Sequence, residues 1–265
     1  MPTETSLVMN KSELQSFLEE KYVQFNNFNF IENDPIKIPH EYSSPEDIEI
    51  AGLFAAVIAW GNRKSIIKNG YNLMERMDNS PSSFIRDFNK SDLNNFNGFK
   101  HRTFNEIDLT TFCFGLQNIL KEYTTLGLYF KSEFEITCSQ AHVLSAFKNR
   151  FFLNPYAKRS KKHLPDPLKG SAAKRICMYF RWMVRKDEFG VDFGIWNKMI
   201  SPSLLHLPLD VHTSTVGRSL GLLKRKQNDW KAVDEITRQL KSLCPDDPVK
   251  YDFSLFGLGV NEGFK

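Results

Sequence analysis

Apolar residues recur at three- and four-residue spacing along most of the chain, and no stretch alternates with the period of two expected of a half-buried strand. Residues 11–22 (KSELQSFLEEKY) predict a short amphipathic helix, and Asn33-Asp34-Pro35 and Pro39-His40 then mark a connector. Ser44 and Pro45 supply an N-cap and a first-turn proline for the run DIEIAGLFAAVIAWG, which is apolar on nearly every face and must sit deep in a core. Its small residues Ala51, Gly52, Ala55, Ala56 and Ala59 let neighbouring helices approach closely. Helical spacing continues through RKSIIKNGYNLMERM, SPSSFIRDF, DLTTFCFGLQNILKEYTTLGLYFKSEF and SQAHVLSAFKNRFF.

The polar, basic stretch Asn154–Gly170, with Pro155, Pro165 and Pro167, predicts a loop. Ser171 is then placed to cap a helix running to about Arg185, with Ala173, Ile176, Cys177, Phe180, Met183 and Val184 on its apolar face and Lys174, Arg181 and Arg185 along the other side. A loop at 186–192 and a short helical stretch near FGIWNKMI lead to HLPLDVHTSTVGRSLGLL, where Asp210 stands at a turn-to-helix junction. Helices at about 211–221, 229–242 and 247–258 complete the pattern, the last two opened by Asp229 and by Asp247-Pro248.

The 265 residues suit one large domain or two smaller helical lobes, and 23 phenylalanines imply aromatic-rich packing between helices. Met1–Asn10 lacks a basic start followed by an apolar run, and no segment approaches about 18 uninterrupted apolar residues, so the expectation is a cytoplasmic protein with no membrane partner. Cys113, Cys138, Cys177 and Cys244 are scattered without CxxC spacing, which argues for buried thiols and against a disulfide framework or a zinc site. No pair of histidines has metal-ligand spacing either, so no metal is expected. A net charge of +4 discriminates little. Its distribution says more: between Lys158 and Lys186 stand ten Lys or Arg residues against the single acid Asp166, an imbalance suited to a phosphate backbone.

The segment LPLDVHTSTVGRSLGLL, preceded by a helix rich in Lys and Arg, resembles the Val-Asp-Thr-His-Val…Arg…Arg-Leu-Gly-Leu signature of helix-hairpin-helix DNA glycosylases, over Pro208 to Leu222. Upstream, LPDPLKGSAAKRICMYFRWMVR looks like a degenerate form of that superfamily's Leu-Pro-Gly…Gly…Lys-Thr-Ala hairpin, and Lys174 aligns with its catalytic lysine. KRICMYFRWMVR, VDFGIW, PLDVHT and DPVKYDFSLFGLG together are also similar to an uncharacterised bacterial family of conserved hypothetical proteins, over nearly the whole chain. Among better understood relatives, the wide gap between lysine and aspartate is more similar to archaeal 8-oxoguanine DNA glycosylases than to the iron–sulfur enzymes. The resemblance implies an all-α fold of two helical lobes with a cleft between them: residues 44–200 carrying the hairpin-like segment, and residues 1–43 plus 201–265 forming the second lobe. Two departures stand out: the hairpin Pro165–Gly170 keeps one glycine where the superfamily uses Gly-x-Gly, and the four-cysteine cluster is absent, so no iron–sulfur cluster or other cofactor is expected.

The activity so implied is removal of a damaged base from duplex DNA. A fixed carboxylate, Asp210, would face the positive charge that builds on the sugar, and a neutral lysine, Lys174, would attack the anomeric carbon to form a Schiff base. Lys169 is the alternative lysine. Lys158, Arg159, Lys161, Lys162, Lys169, Gly170, Arg175 and His212 are the expected nucleic-acid contacts, with Lys224-Arg225-Lys226 as a lesser basic cluster. Trp182, Trp196 and Phe193 are candidates to line a pocket for a flipped base. Plainer readings stand beside these: Asp210 as an N-cap alone, Lys174 as a solvated helix lysine, and the basic run as a solvated surface. On those readings the chain is a nucleic-acid-binding module without catalysis, or a protein-interaction scaffold.

Overall fold

The computed structural model describes residues 9–153 and 157–263, so Pro155 of the predicted loop lies outside the described residues. In chain order the α-helices are α1 (Lys11–Phe25), α2 (Asn29–Glu32), α3 (Pro45–Ile58), α4 (Arg63–Glu75), α5 (Pro81–Asp87), α6 (Glu106–Tyr123), α7 (Leu126–Thr137), α8 (Gln140–Phe151), α9 (Lys174–Val184), α10 (Val211–Ser219), α11 (Trp230–Leu243) and α12 (Tyr251–Asn261). Among the described residues the only sheet is a two-residue antiparallel pairing of β1 (Lys100–His101) with β2 (Phe104–Asn105), so the protein is all-α. None of these helices is long and apolar enough to cross a membrane.

The chain divides into two compact units. One is built from the chain up to Phe30, Lys169–Asn197 and the chain from Ser201 onward; the other from Ile31–Leu168 and Lys198–Ile200. Residues 169–197, expected with the 44–200 lobe, thus lie with α1 and the C-terminal helices, and residues 31–43 lie with the other unit. The reason for the first placement is electrostatic and is described with the site below.

In the Ile31–Leu168 unit α3 is the central helix. Ser44 Oγ accepts from Asp47 N at 3.3 Å, Pro45 occupies the first turn, and every residue from Ile48 to Ile58 is buried, as the all-round apolar pattern requires. Glu49 is buried with them because its carboxylate accepts from Leu126 N (2.9 Å) and Gly127 N (3.0 Å), satisfying the opening amides of α7. The long helical stretch beginning at Asp108 breaks at Thr124, where the backbone turns to φ 57°, and Thr125 caps a new helix through Leu128 N at 3.2 Å. The phenylalanines pack as expected, with Phe112 edge-on to Phe104 and Phe151 at 5.2 and 4.8 Å.

In the other unit α1 and α10 pack along α12 around a core that includes Leu18, Leu209, Val216, Ile236, Leu240 and Leu255. Gly257 lets α1 come close, because a Cβ there would lie 2.2 Å from the Phe25 ring. Asp229 caps α11 through Ala232 N at 3.1 Å, as its position predicts.

Four local expectations are corrected. Helix α9 begins at Lys174 with the left-handed Ala173 (φ 50°) as its N-cap; Ser171 only accepts from Ala173 N at 3.2 Å. Residues 193–200 form turns rather than a helix, because the amides of Phe193, Gly194 and Trp196 bond back to the end of α9. Asp247 makes no side-chain cap at Pro248 and turns to Arg185 instead. Cys113 and Cys177 are buried thiols, but Cys138 is exposed at the left-handed end of α7 and Cys244 is half-buried at the end of α11.

Replacing Glu49 by alanine strands two buried amides, so Glu49→Ala should lower the unfolding free energy by ~2–4 kcal/mol in a urea titration. A loss under about 0.5 kcal/mol would show that water satisfies the start of α7.

Candidate functional site

Two residues 36 positions apart, Lys174 and Asp210, come together in one unit: Lys174 Nζ lies 3.7 Å from Asp210 Oδ2. Neither is sealed off, their side chains being 31% and 21% exposed. Lys174 is the first residue of α9 and Asp210 is the N-cap of α10. Asp210 Oδ1 accepts from Thr213 N at 2.9 Å while Thr213 Oγ1 accepts from Asp210 N at 2.8 Å, which fixes the carboxylate in a reciprocal capping box. The N-cap reading therefore holds, and it leaves Oδ2 turned toward the amine.

Lys174 has the less natural position. The start of a helix carries positive partial charge, which disfavours a cation there, and α9 has no side-chain cap and enters through a left-handed alanine. Asp210 offsets that charge across space. Lys174 Nζ also lies 3.8 Å from Met178 Sδ one turn on.

Behind the pair runs a buried ladder of charge. Arg181 and Arg185, expected on the polar side of α9, are only 3% and 2% exposed. Arg181 donates to Asp192 (3.2 Å) and to Asp252, while Arg185 donates to Asp192 (3.0 Å), Asp187 (2.7 Å), Asp247 (2.8 Å) and the Tyr22 hydroxyl. Asn26 of the segment after α1 donates to Asp187 at 3.1 Å, and the Arg181 guanidinium lies 4.1 Å from the Phe253 ring centroid. These contacts tie α9 to α1 and α12 and explain why residues 169–197 fold with them. They also revise the reading of the basic window: Arg181 and Arg185 are neutralised internally by acids that lie outside it in sequence, and Arg159 pairs with the buried Asp108.

Asp252, in the first turn of α12, joins the ladder to the pair. Burial pushes its carboxyl up to about 6, against the opposing pull of Arg181 and then Lys174, with Asp210 adding to the rise. Burial likewise raises Asp192, whereas Asp187, against its own lesser desolvation, is held low by Arg185.

The remaining expected residues sit as follows. Arg175 follows Lys174 on α9, half-buried, and burial lowers its guanidinium to about 10. His212 is exposed on the first turn of α10, edge-on to Phe256 at 6.1 Å. Lys169 and Gly170 are exposed, and the Gly170 carbonyl accepts from Trp230 N at 3.2 Å. Gly170 has φ +89° with nothing within 4 Å of its missing Cβ, so its backbone is open to close approach. Before it stand only short 3₁₀ turns, at Lys158–His163 and Pro167–Lys169. Lys158, Arg159, Lys161 and Lys162 belong to the other unit, where Arg159 bends inward to Asn105 (2.6 Å) and Thr103 O (3.0 Å). Trp182 and Trp196 are fully buried, Trp196 edge-on to Tyr179 at 5.4 Å, so neither can face a flipped base. In the lesser basic cluster Arg225 pairs with Asp229, while Lys224 and Lys226 are exposed. Among the described residues no three His, Cys, Asp or Glu side chains converge as a metal site requires.

Sequence reasoning missed Asp252. The signal was available: an acid one residue into a helix whose next turns, FSLFGLG, are apolar. Because its folded-state pKa of about 6 lies above the ordinary 3.8, the fold holds this proton more tightly than the unfolded chain. The stability it contributes is full below about 4 and is lost as pH rises through about 6, a change of order 3 kcal/mol. The stability difference between wild type and Asp252→Asn, followed by denaturant unfolding from pH 4 to 7, should therefore move against wild type as pH rises; a pH-independent difference would contradict this.

No curated protein and no solved structure matches the chain. A family model does, from residue 34 to residue 261, a span that holds Lys174, Asp210, Asp252 and both buried arginines and that accords with the resemblance to an uncharacterised family. The chain belongs to the family described as protein of unknown function, DUF2400.

Proposed function

We propose that the protein is a DNA N-glycosylase of the helix-hairpin-helix type, with Lys174 as nucleophile and Asp210 as the fixed carboxylate beside it. The observation that carries this reading is the 3.7 Å approach of Lys174 Nζ to Asp210 Oδ2, with both groups accessible and one of them locked by a capping box. The all-α fold and the open backbone at Gly170 are in keeping with it.

The chemistry follows from those two groups. With its proton passed to solvent, the Lys174 amine bonds to C1′ of the sugar as the glycosidic bond breaks. The electron pair leaves with the base, which takes up a proton. Loss of one proton from the nitrogen gives the neutral aminal; the C1′–O4′ bond then breaks, O4′ takes up a proton, and C1′ is left doubly bonded to the nitrogen as the iminium form of the Schiff base. Throughout, Asp210 faces the cationic sugar carbon without having to reorganise, because Thr213 already holds it.

One observation favours a second reading, a nucleic-acid-binding module without catalysis. The segment before Gly170 forms 3₁₀ turns and has a single glycine, a reduced version of the hairpin that would anchor a phosphate beside the lysine.

Borohydride trapping on a panel of damaged duplexes and direct measurement of free-base release separate the two. Lys174→Ala should abolish the trapped adduct. Asp210→Asn should reduce base release by at least about a hundredfold, while asparagine, an equally good cap, leaves the melting temperature nearly unchanged. No base release by wild type on any lesion, or release unaffected by both substitutions, would leave the binding-module reading in its place.

A further inference from the structure

Outside the unit that holds Lys174, the Ile31–Leu168 unit brings three basic segments to one place. Arg63 and Lys64 open α4. Lys100 and Arg102 belong to the β1–β2 hairpin, where Arg102 takes a left-handed φ of 55° and its Nη1 lies 2.8 Å from the position a Cβ on Gly61 would occupy, so the hairpin tip rests on the start of α4. The third segment carries Lys158, Arg159, Lys161 and Lys162. It is fastened to the hairpin by Arg159, which donates to Thr103 O at 3.0 Å and pairs with the buried Asp108 at 3.3 Å. Two further contacts hold the same junction: Ser160 Oγ donates to Asp108 at 2.7 Å, and Trp60 stacks on His163 at 5.8 Å.

The outcome is a face of one sign. All eight of these cations are exposed, and residues 59–65, 97–105 and 157–164 contain no acid at all. The nearby acids are used inward, Asp108 by Ser160, Arg159 and His163, and Glu106 by Gly98 N at 2.8 Å. Between the lysines and arginines the exposed residues are Gly61, Asn62, Ser65 and Thr103, all small or hydrogen-bonding. No exposed apolar side chain stands among them, which suits a phosphate backbone and not a lipid surface, where an apolar face must insert. The spread of positive charge over three segments fixed by buried hydrogen bonds also suits a rigid, regularly charged partner.

We propose that residues 61–64, 100–102 and 158–162 form a nucleic-acid-backbone-binding face, so that the basic run at 158–162 is one third of a larger electrostatic surface. This extends the base-excision reading but does not need its chemistry.

The test reads binding alone. Fluorescence anisotropy with an undamaged duplex of about 20 base pairs, from low to physiological salt, gives affinity and its salt slope. The triple variant Lys64→Ala/Arg102→Asn/Lys162→Ala spares Arg159 and keeps a residue that tolerates left-handed backbone at 102. It should bind at least about tenfold more weakly at low salt, with the log–log slope reduced by roughly two to three. A control of equal charge change, Lys11→Ala/Lys186→Ala/Lys231→Ala, should lose much less. The proposal is overturned if the two triple variants behave alike, if wild type fails to bind duplex at low salt, or if phosphatidylserine vesicles are bound in preference. Intact binding by a catalytically silent protein would count against the glycosylase chemistry and leave this face standing.

Discussion

Two buried arginines, Arg181 on α9 and Arg185 at its C-cap, are the constraint on which the candidate site depends. Each is almost wholly buried, and each is matched by carboxylates that reach it from outside the helix: Asp192 and Asp252 for the first, Asp187, Asp192 and Asp247 for the second. A guanidinium taken out of water without partners is strongly destabilising, so α9 can occupy only an orientation in which all these acids find it. That requirement fixes where the first turn of α9 ends up, and with it Lys174. The ladder is thus a positioning device as much as a stabilising one, since apolar residues of similar volume could fill the same space without specifying rotation about the helix axis.

Against that fixed helix, the pairing of Lys174 with Asp210 reads as a local compromise. A lysine at the first position of α9 and a left-handed, non-glycine residue just before it both run against helix-start preferences. Such violations concentrate where structure is bent to a purpose. By contrast Asp210 obeys the rules entirely, since its capping box would stabilise α10 in any protein. The site therefore joins one residue placed by ordinary helix capping to one held against local preference, and the second is the more informative of the two.

Much of the fold was legible in the sequence because helix periodicity and capping are local. The buried run at 48–58 and the caps at Ser44, Asp210 and Asp229 follow from residues within a few positions of each other. What was not legible depended on partners distant along the chain. Arg181 and Arg185 look like a solvated face until Asp247 and Asp252 are brought beside them; Trp182 and Trp196 look like base-stacking candidates until the fold buries both, with the 193–200 turns bonded back to the end of α9. The basic window 158–186 misleads in the same way. Its segments part into separate units, and the cations that accompany Lys158–Lys162 come from α4 and the β1–β2 hairpin, which no window along the chain includes.

On the proposed chemistry, Lys174 Nζ is the atom that bonds to the sugar. Reductive trapping of wild type on a damaged duplex, followed by digestion and mass-spectrometric mapping of the adduct, tests that directly. A single modified position is expected, Lys174 in the peptide that opens α9. An adduct on Lys169, on the lysines of the 158–162 segment, or spread over several surface lysines would contradict it.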